Sequence, residues 1–229
     1  MCHILKVFVS AISALFLVGC EMMADEVKPN AVSEPLAAFA ARQVALTQVS
    51  DWRAVGRLAL KADGEGWTAT VSWDNKPDRW RIRLSGPLGQ GTVQLTGTPE
   101  EVVLARSDGS KVRAMNADQL LERALGWRIP VSGLRYWMKG DIDPSVPADA
   151  LVVGDAGLLE GVRQSGWTVR IPSYMDAKEL VMPRDIILTN SRVDARLTVR
   201  RWRVTPTESP QSAKENHEFT GSAVGACKN

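Results

Sequence analysis

Histidine is almost missing from this sequence. The 229 residues hold two, His3 and His217, and both lie near an end of the chain. A Ser-His-Asp or Cys-His nucleophile and a histidine-ligated metal site therefore find no histidine in the body. Cysteine is scarce as well, with only Cys2, Cys20 and Cys227, so no intrachain disulfide framework is expected. Two tyrosines and four phenylalanines are outnumbered by eight tryptophans, rigid amphipathic side chains that suit cavities and interfaces. The formal net charge is +2, too little to steer the chain toward nucleic acid. Carboxylates such as Asp51 and Asp118 fall at turn or helix-start positions, where solvation or capping explains them. The sequence thus nominates no catalytic residue and no metal ligand. With 45% hydrophobic and 24% charged residues, it fits one globular domain with tails.

What is present begins with a leader. Lys6 precedes an apolar run over residues 7–18 that only Ser10 and Ser13 interrupt. The run is too short to cross about 30 Å of hydrocarbon as a helix but suits the core of an export signal. It ends in Leu17-Val18-Gly19-Cys20, which resembles a bacterial lipobox. Cys20 is then the lipidated first residue of the mature chain. Glu21 follows it where the common sorting rule places an Asp for inner-membrane retention, which points to the outer membrane. Residues 1–19 read as lipoprotein signal peptide, 20–34 as lipid-anchored tether, 35–204 as the folded domain and 205–229 as a disordered C-terminal tail.

A helix is expected to start between Ser33 and Pro35, with Leu36, Phe39, Gln43 and Leu46 along one side. From Trp52 the period changes to two. Trp67, Ala69, Val71 and Trp73 share one face of a strand, and Trp80, Ile82 and Leu84 share one face of the next. Arg79, Arg81 and Arg83 face the other way and read as a solvated surface. Such alternation means antiparallel strands with one face inward, joined as a meander. Asn116 opens a helix with Gln119 three residues on, whose stripe is Leu120, Leu121, Ala124 and Leu125. A second short helix covers residues 131–138. Strands return over 158–163, 167–171, 186–188 and 196–204, with Gln164-Ser165-Gly166 as a hairpin turn. A helical pair between two β runs suits a lid over one sheet face in an α+β domain. Trp67, Trp73 and Trp80 all point inward in this reading, and spacing alone does not separate a packed core from the wall of a pocket.

The loop Ser85-Gly86-Pro87-Leu88-Gly89-Gln90-Gly91 has three glycines, one proline and one large apolar side chain, Leu88. Leu88 either plugs one end of the core or is exposed to an apolar partner.

Gly56-Arg57-Leu58, Trp73, Arg83-Leu84, Gly86-Pro87-Leu88-Gly89, Gly109, Ile129-Pro130-Val131, Leu134-Arg135-Tyr136-Trp137, Gly140, Gly166-Trp167, Met182-Pro183 and Trp202, in this order behind a lipobox, resemble the LolB family of outer-membrane lipoproteins. Met182-Pro183 departs mildly from that family's Leu-Pro, and the tail after Val204 lies outside the resemblance. The resemblance implies a mainly β fold, an incomplete antiparallel β-barrel around an apolar cavity under a helical lid. It implies a non-enzymatic receptor, anchored at the periplasmic face of the outer membrane and monomeric. Such a receptor takes a triacylated lipoprotein cargo from the periplasmic carrier LolA and inserts it into the inner leaflet of the outer membrane. It implies no cofactor beyond the acyl and diacylglycerol groups on Cys20, and no nucleic acid. It sets Leu88, with Pro87 and Gly89, as the membrane-insertion loop, and Trp73, Trp80, Trp137 and Trp167 are the expected acyl-binding wall. The alternatives are a lipid-anchored carrier of another hydrophobic ligand and a structural envelope lipoprotein with a filled core.

Overall fold

Alternating polarity along the strands is realised as one eleven-stranded antiparallel sheet. The computed structural model describes residues 34–87, 91–125 and 130–205. Cys20, the tether before Glu34, the loop residues Leu88 and Gly89, and the tail after Thr205 lie outside these described residues.

Helix α1, Glu34–Thr47, is followed by a meander of β1 Asp51–Ala62, β2 Glu65–Asn75, β3 Trp80–Ser85, β4 Thr92–Gly97, β5 Val102–Arg106 and β6 Lys111–Ala114. A second meander comprises β7 Ala150–Val153, β8 Leu159–Gln164, β9 Trp167–Ala177, β10 Leu180–Thr189 and β11 Val193–Thr205. The strand order is β6-β5-β4-β3-β2-β1-β11-β10-β9-β8-β7. The first and last strands of the chain therefore pair at the centre, and β6 and β7 are the two edges. Between those edges the chain runs through α2, Ala117–Leu125, and α3, Val131–Trp137. A connection from one edge to the other must cross a face of the sheet, and this one crosses the apolar face. The sheet stays open, and the helical pair covers its concave side.

Inward parity is carried across the central pair with one slip. On β1 the inward residues are even-numbered throughout, Trp52, Ala54, Gly56, Leu60 and Ala62 among them. On β11 they change from Trp202 and Val204 to the odd positions Val193, Ala195, Leu197 and Val199. A β-bulge where the register shifts between Val55 and Gly56 makes the change, and it leaves Arg200 and Arg201 both exposed. Such a bulge bends and twists the strand, as a curved sheet requires. Gly56 permits the close approach, because a Cβ there would collide with the Thr198 carbonyl and Val199 Cα.

Several elements differ from their expectation. The strand expected at 158–163 is β8, one residue later, and β9 and β10 run on to a hairpin at Lys178 and Glu179. Pro183 sits inside β10 beside a register shift, the kind of place where a strand tolerates proline. β7 was not foreseen: it is four residues long and mostly exposed, so it has no inward run to reveal it. On α1 Phe39 and Leu46 are buried but Leu36 is 50% exposed. Asn116 caps α2 as its sequence suggests, accepting from Asp118 N at 2.8 Å and Gln119 N at 3.2 Å.

The core has two parts. The larger is organised on β1, β2 and β8–β11, where Trp52 stands between Trp73 and Trp202 with ring centroids 5.3 and 5.5 Å away. The smaller joins Leu95, Val102 and Leu104 of the β4–β5 hairpin to Leu120, Leu121 and Val131 of the helical pair. Every described strand pairs within this one sheet, so the described part carries its own core.

On the outer face three strands are stapled at Asp185. Thr198 Oγ1 and Ser173 Oγ each donate to its carboxylate at 2.7 Å, and Arg196 lies 3.4 Å away. The Thr198 and Ser173 hydroxyls hold the carboxyl below its ordinary value. A carboxylate so depressed binds fewer protons folded than unfolded. Its contribution to stability is complete above the unfolded value, about 4, and is lost as pH falls through the folded value. Asp185→Asn is therefore expected to flatten the acid limb of the stability profile below about pH 4. Urea midpoints measured across pH check this, and an unchanged limb would remove Asp185 from the account.

Candidate apolar cavity

Strand pleating sends alternate residues of β1 to β5 to the concave side. There they do not meet the helices everywhere. A cavity of about 380 Å³ remains between sheet and lid. Its sheet wall includes Leu58 and Leu60 of β1, Val71 and Trp73 of β2, Ile82 and Leu84 of β3, and Ala195 and Leu197 of β11. Its roof is Leu121 of α2 with Val131, Leu134 and Trp137 of α3. Thr68 supplies the one hydroxyl among the described lining residues, and no ionisable side chain is among them. A space with this lining offers nothing to orient a polar substrate, and it rewards any alkyl chain that displaces its water. Gly86, Pro87 and Gly91, the described roots of the glycine-rich loop, line the same cavity. Pro87 and Trp67 are exposed there, which sets the mouth at the loop end of the strands.

The four tryptophans expected in the wall are placed as follows. Trp73, Trp137 and Trp167 line the cavity. Trp80 does not. It starts β3 at the end away from the loop, opposite Gly97, where a Cβ would occupy the space of its ring. There it packs on the smaller cluster with Leu95 and Leu104. Trp67, expected to point inward with Trp73, is 39% exposed at the rim, because β2 begins next to the turn there. Pro87 is at the mouth, and Leu88 and Gly89 lie outside the described residues.

One residue at the lid base, Gln164, was missed. Trp137 is fully buried and its indole Nε1 donates to Gln164 Oε1 at 3.0 Å. The apolar body of the ring is thus free to face the cavity while its polar edge is satisfied. Gln164 is itself fully buried. Its Nε2 donates to Asp143 O at 2.7 Å and Val146 O at 2.6 Å, and its Oε1 also accepts from Asp143 N at 3.1 Å. The hairpin pattern marked Gln164 as a turn residue. The available signal was its spacing from Val162, since the two are buried either side of exposed Arg163.

At the other end of the lid Asp118 of α2 accepts from Val131 N at 2.8 Å. It serves α3 as the cap that Pro130 lacks. Burial raises the Asp118 carboxyl, against the bond from Val131. Below α3 the chain is clamped to α1. Arg42 Nη2 donates to Lys139 O at 3.1 Å and Val181 O at 2.7 Å, and Gln43 Nε2 donates to Asp141 Oδ1 at 2.8 Å. Burial lowers Arg42 and Lys139 and raises the Tyr174 phenol, over whose ring the Arg42 guanidinium lies at 5.7 Å. These groups fix helices and stand outside the cavity.

The family model described as "Outer membrane lipoprotein LolB" matches residues 50–202. The chain is 34% identical to the outer-membrane lipoprotein LolB of Nitrosococcus oceani over 192 residues, 84% of this chain and 94% of that one. It is 33% identical to the protein of the same name from Cellvibrio japonicus over 168 residues, 72% of this chain and 83% of that one. Among solved structures, a LolA superfamily protein from Nitrosomonas europaea superposes with a TM-score of 0.45 at 8% identity, over 74% of this chain and 95% of that one. The matched segment runs from the residue before β1 to Trp202 of β11, taking in the cavity, the lid and all but the last three residues of the sheet, and the chain belongs to the outer membrane lipoprotein LolB family.

Proposed function

We propose that this protein is the lipid-anchored receptor that takes triacylated lipoproteins from the periplasmic carrier LolA and delivers them to the inner leaflet of the outer membrane. The observation that carries the reading is the apolar cavity of about 380 Å³ beneath a two-helix lid. Acylation of Cys20 holds the domain at the membrane, and the acyl groups there are the only non-protein component the role needs. Transfer asks for containment rather than bond chemistry. Each methylene taken from water gains about 0.8 kcal/mol in any apolar container. A receiver that binds somewhat better than the donor accepts cargo, and a bilayer that binds better still removes it. Leu88, on a loop rooted at the mouth by Gly86, Pro87 and Gly91, is the side chain that enters the lipid interface. A structural lipoprotein would be expected to fill its core, and the cavity weighs against that alternative.

The test is a transfer assay. The unacylated chain from Glu21 to Asn229 is mixed with LolA carrying one acylated lipoprotein, then with liposomes. Cargo is expected to move onto this protein and then into the vesicles. Leu88→Glu is expected to accept cargo normally and to lose delivery. Cargo that stays on an active donor overturns the receptor role, and normal delivery by Leu88→Glu overturns the insertion step.

A further inference from the structure

The outer face of the central strands carries a charge pattern that the transfer mechanism does not use. Arg53 of β1 lies directly opposite Arg203 of β11. On its other side Arg53 faces Asp74, to which it is ion-paired at 3.3 Å, and Asp74 in turn faces Arg81 of β3. One row along the strands, Arg83 faces Ser72, Ser72 faces Val55, and Val55 faces Arg201. All five arginines are exposed. Neighbouring strands are about 4.8 Å apart, so the five guanidinium groups share one patch around a single aspartate. They leave four positive charges unmatched there, against a formal +2 for the whole chain. Like charges set directly across a strand pair are destabilising, and Asp74 relieves Arg53 on one side only.

The pleat decides what can use this patch. Trp73, Ile82 and Leu84 alternate with Asp74, Arg81 and Arg83 on the same strands and line the cavity. The sheet itself therefore stands between the arginines and the cavity. A donor docked on the patch would hold its cargo on the wrong side of the sheet. A partner that needs no access to the cavity, only a fixed orientation of the domain, fits the patch. β3 leads from Arg81 and Arg83 straight into Gly86 and Pro87 at the mouth. A surface that holds β3 by its arginines thus keeps the loop edge beside that surface and leaves the lid side open to a donor. Guanidinium groups match phosphate oxygens in a bidentate fork and are less strongly hydrated than ammonium groups.

We propose that the outer-face patch of Arg53, Arg81, Arg83, Arg201 and Arg203 binds the phosphate headgroups of anionic phospholipids and so orients the domain on the membrane. This rests on the reading that the domain works at a membrane surface, and the test keeps the two apart.

The chain from Glu21 to Asn229, unacylated, is sedimented with vesicles of phosphatidylcholine, with and without phosphatidylglycerol, at rising salt. Binding is expected to increase with phosphatidylglycerol and to fall as salt screens it. R81Q/R83Q on β3 and, separately, R201Q/R203Q on β11 are each expected to lower the partition coefficient about 30-fold, since each arginine near an anionic surface is worth about fivefold. Both variants are exposed changes, and unfolding midpoints at or above that of the unaltered chain show that they fold. Arg123→Gln, exposed on the lid helix, is the control and is expected to change nothing. Uptake of cargo from LolA in solution, without vesicles, is expected to be the same in all variants. Vesicle binding indifferent to phosphatidylglycerol, or lowered equally by Arg123→Gln, overturns the proposal. So does unchanged vesicle binding with failed cargo uptake in the paired variants, which would make the patch a donor dock. If the unaltered chain takes up no cargo while its binding still depends on phosphatidylglycerol and the arginines, the receptor reading fails and the lipid-binding face stands.

Discussion

Gln164→Leu is expected to cost at least about 3 kcal/mol of stability, because each buried polar group left without a partner costs about 1–3 kcal/mol. Four groups depend on this amide: three buried ones, the indole N–H of Trp137 and the N–H and C=O of Asp143, and the half-buried C=O of Val146. Leucine is of similar size, so packing alone does not account for a large loss. The site is fully buried, so water replaces the amide only if the segment opens. That opening is the functional point. Trp137 ends α3, and residues 143–146 are where the chain leaves the lid for β7. Freeing them frees one end of the lid, so affinity for an acyl probe is expected to fall along with stability. Gln164→Glu is no rescue, because it keeps the acceptor for Trp137 and Asp143 N, removes both donors, and buries a charge. A loss of this size is a large share of the roughly 5–15 kcal/mol that holds a domain together. Urea unfolding followed by tryptophan fluorescence measures it. A loss below about 1 kcal/mol, the worth of one ordinary hydrogen bond, would mean that the four groups find other partners and that the lid base does not depend on Gln164.

The same residue marks the limit of what the sequence discloses. Alternation over β2 and β3 shows the strands and their inward faces, since an antiparallel sheet with one wet face must read that way. Asn116 with its downstream Gln119 discloses the start of α2, because capping is local chemistry. The helical pair between two β runs discloses a lid, and Trp73, Trp137 and Trp167 come out beside the cavity. Parity, however, says which face a residue takes and not how far along the sheet it lies. Trp80 has the right parity and the wrong end of its strand. Trp67 has the right parity and sits at the rim. The hairpins β1–β2–β3 bring Arg53 beside Arg81, but the pairing of β1 with β11 joins residues some 150 positions apart, beyond any local pattern, so Arg201 and Arg203 join the patch only through that pairing. The bulge has a local trace, the adjacent exposed pair Arg200-Arg201 in an otherwise alternating strand. Gln164 has none apart from its spacing from Val162, because a buried amide hub is defined by partners that lie elsewhere in the chain.

Filling the cavity from the sheet side separates containment from packing. Ala69 on β2 and Ala195 on β11 are both buried, both line the cavity, and stand on strands either side of β1. The double variant Ala69→Phe, Ala195→Phe sends two rings into the space, at strand positions that aromatic residues favour. In a filled core each enlargement costs about 1–3 kcal/mol through forced rotamers and backbone shifts. In an apolar void a ring instead gains about 1.5–3 kcal/mol from burial. The two cases differ in sign. Tm is expected to hold or to rise by a few degrees, at about 2–4 °C per kcal/mol for a domain of this size. Affinity for an acyl probe is expected to collapse. Displacing about four methylenes forgoes roughly 3 kcal/mol at about 0.8 each, a loss of about 200-fold. Binding that persists unchanged in a variant with a raised Tm would put the acyl chains somewhere other than this cavity, and a sharply lowered Tm would mean that the space is already committed to the core. Only a loss of binding without a loss of stability assigns the void to cargo. That combination is what a container predicts, because its empty volume serves a ligand rather than the fold.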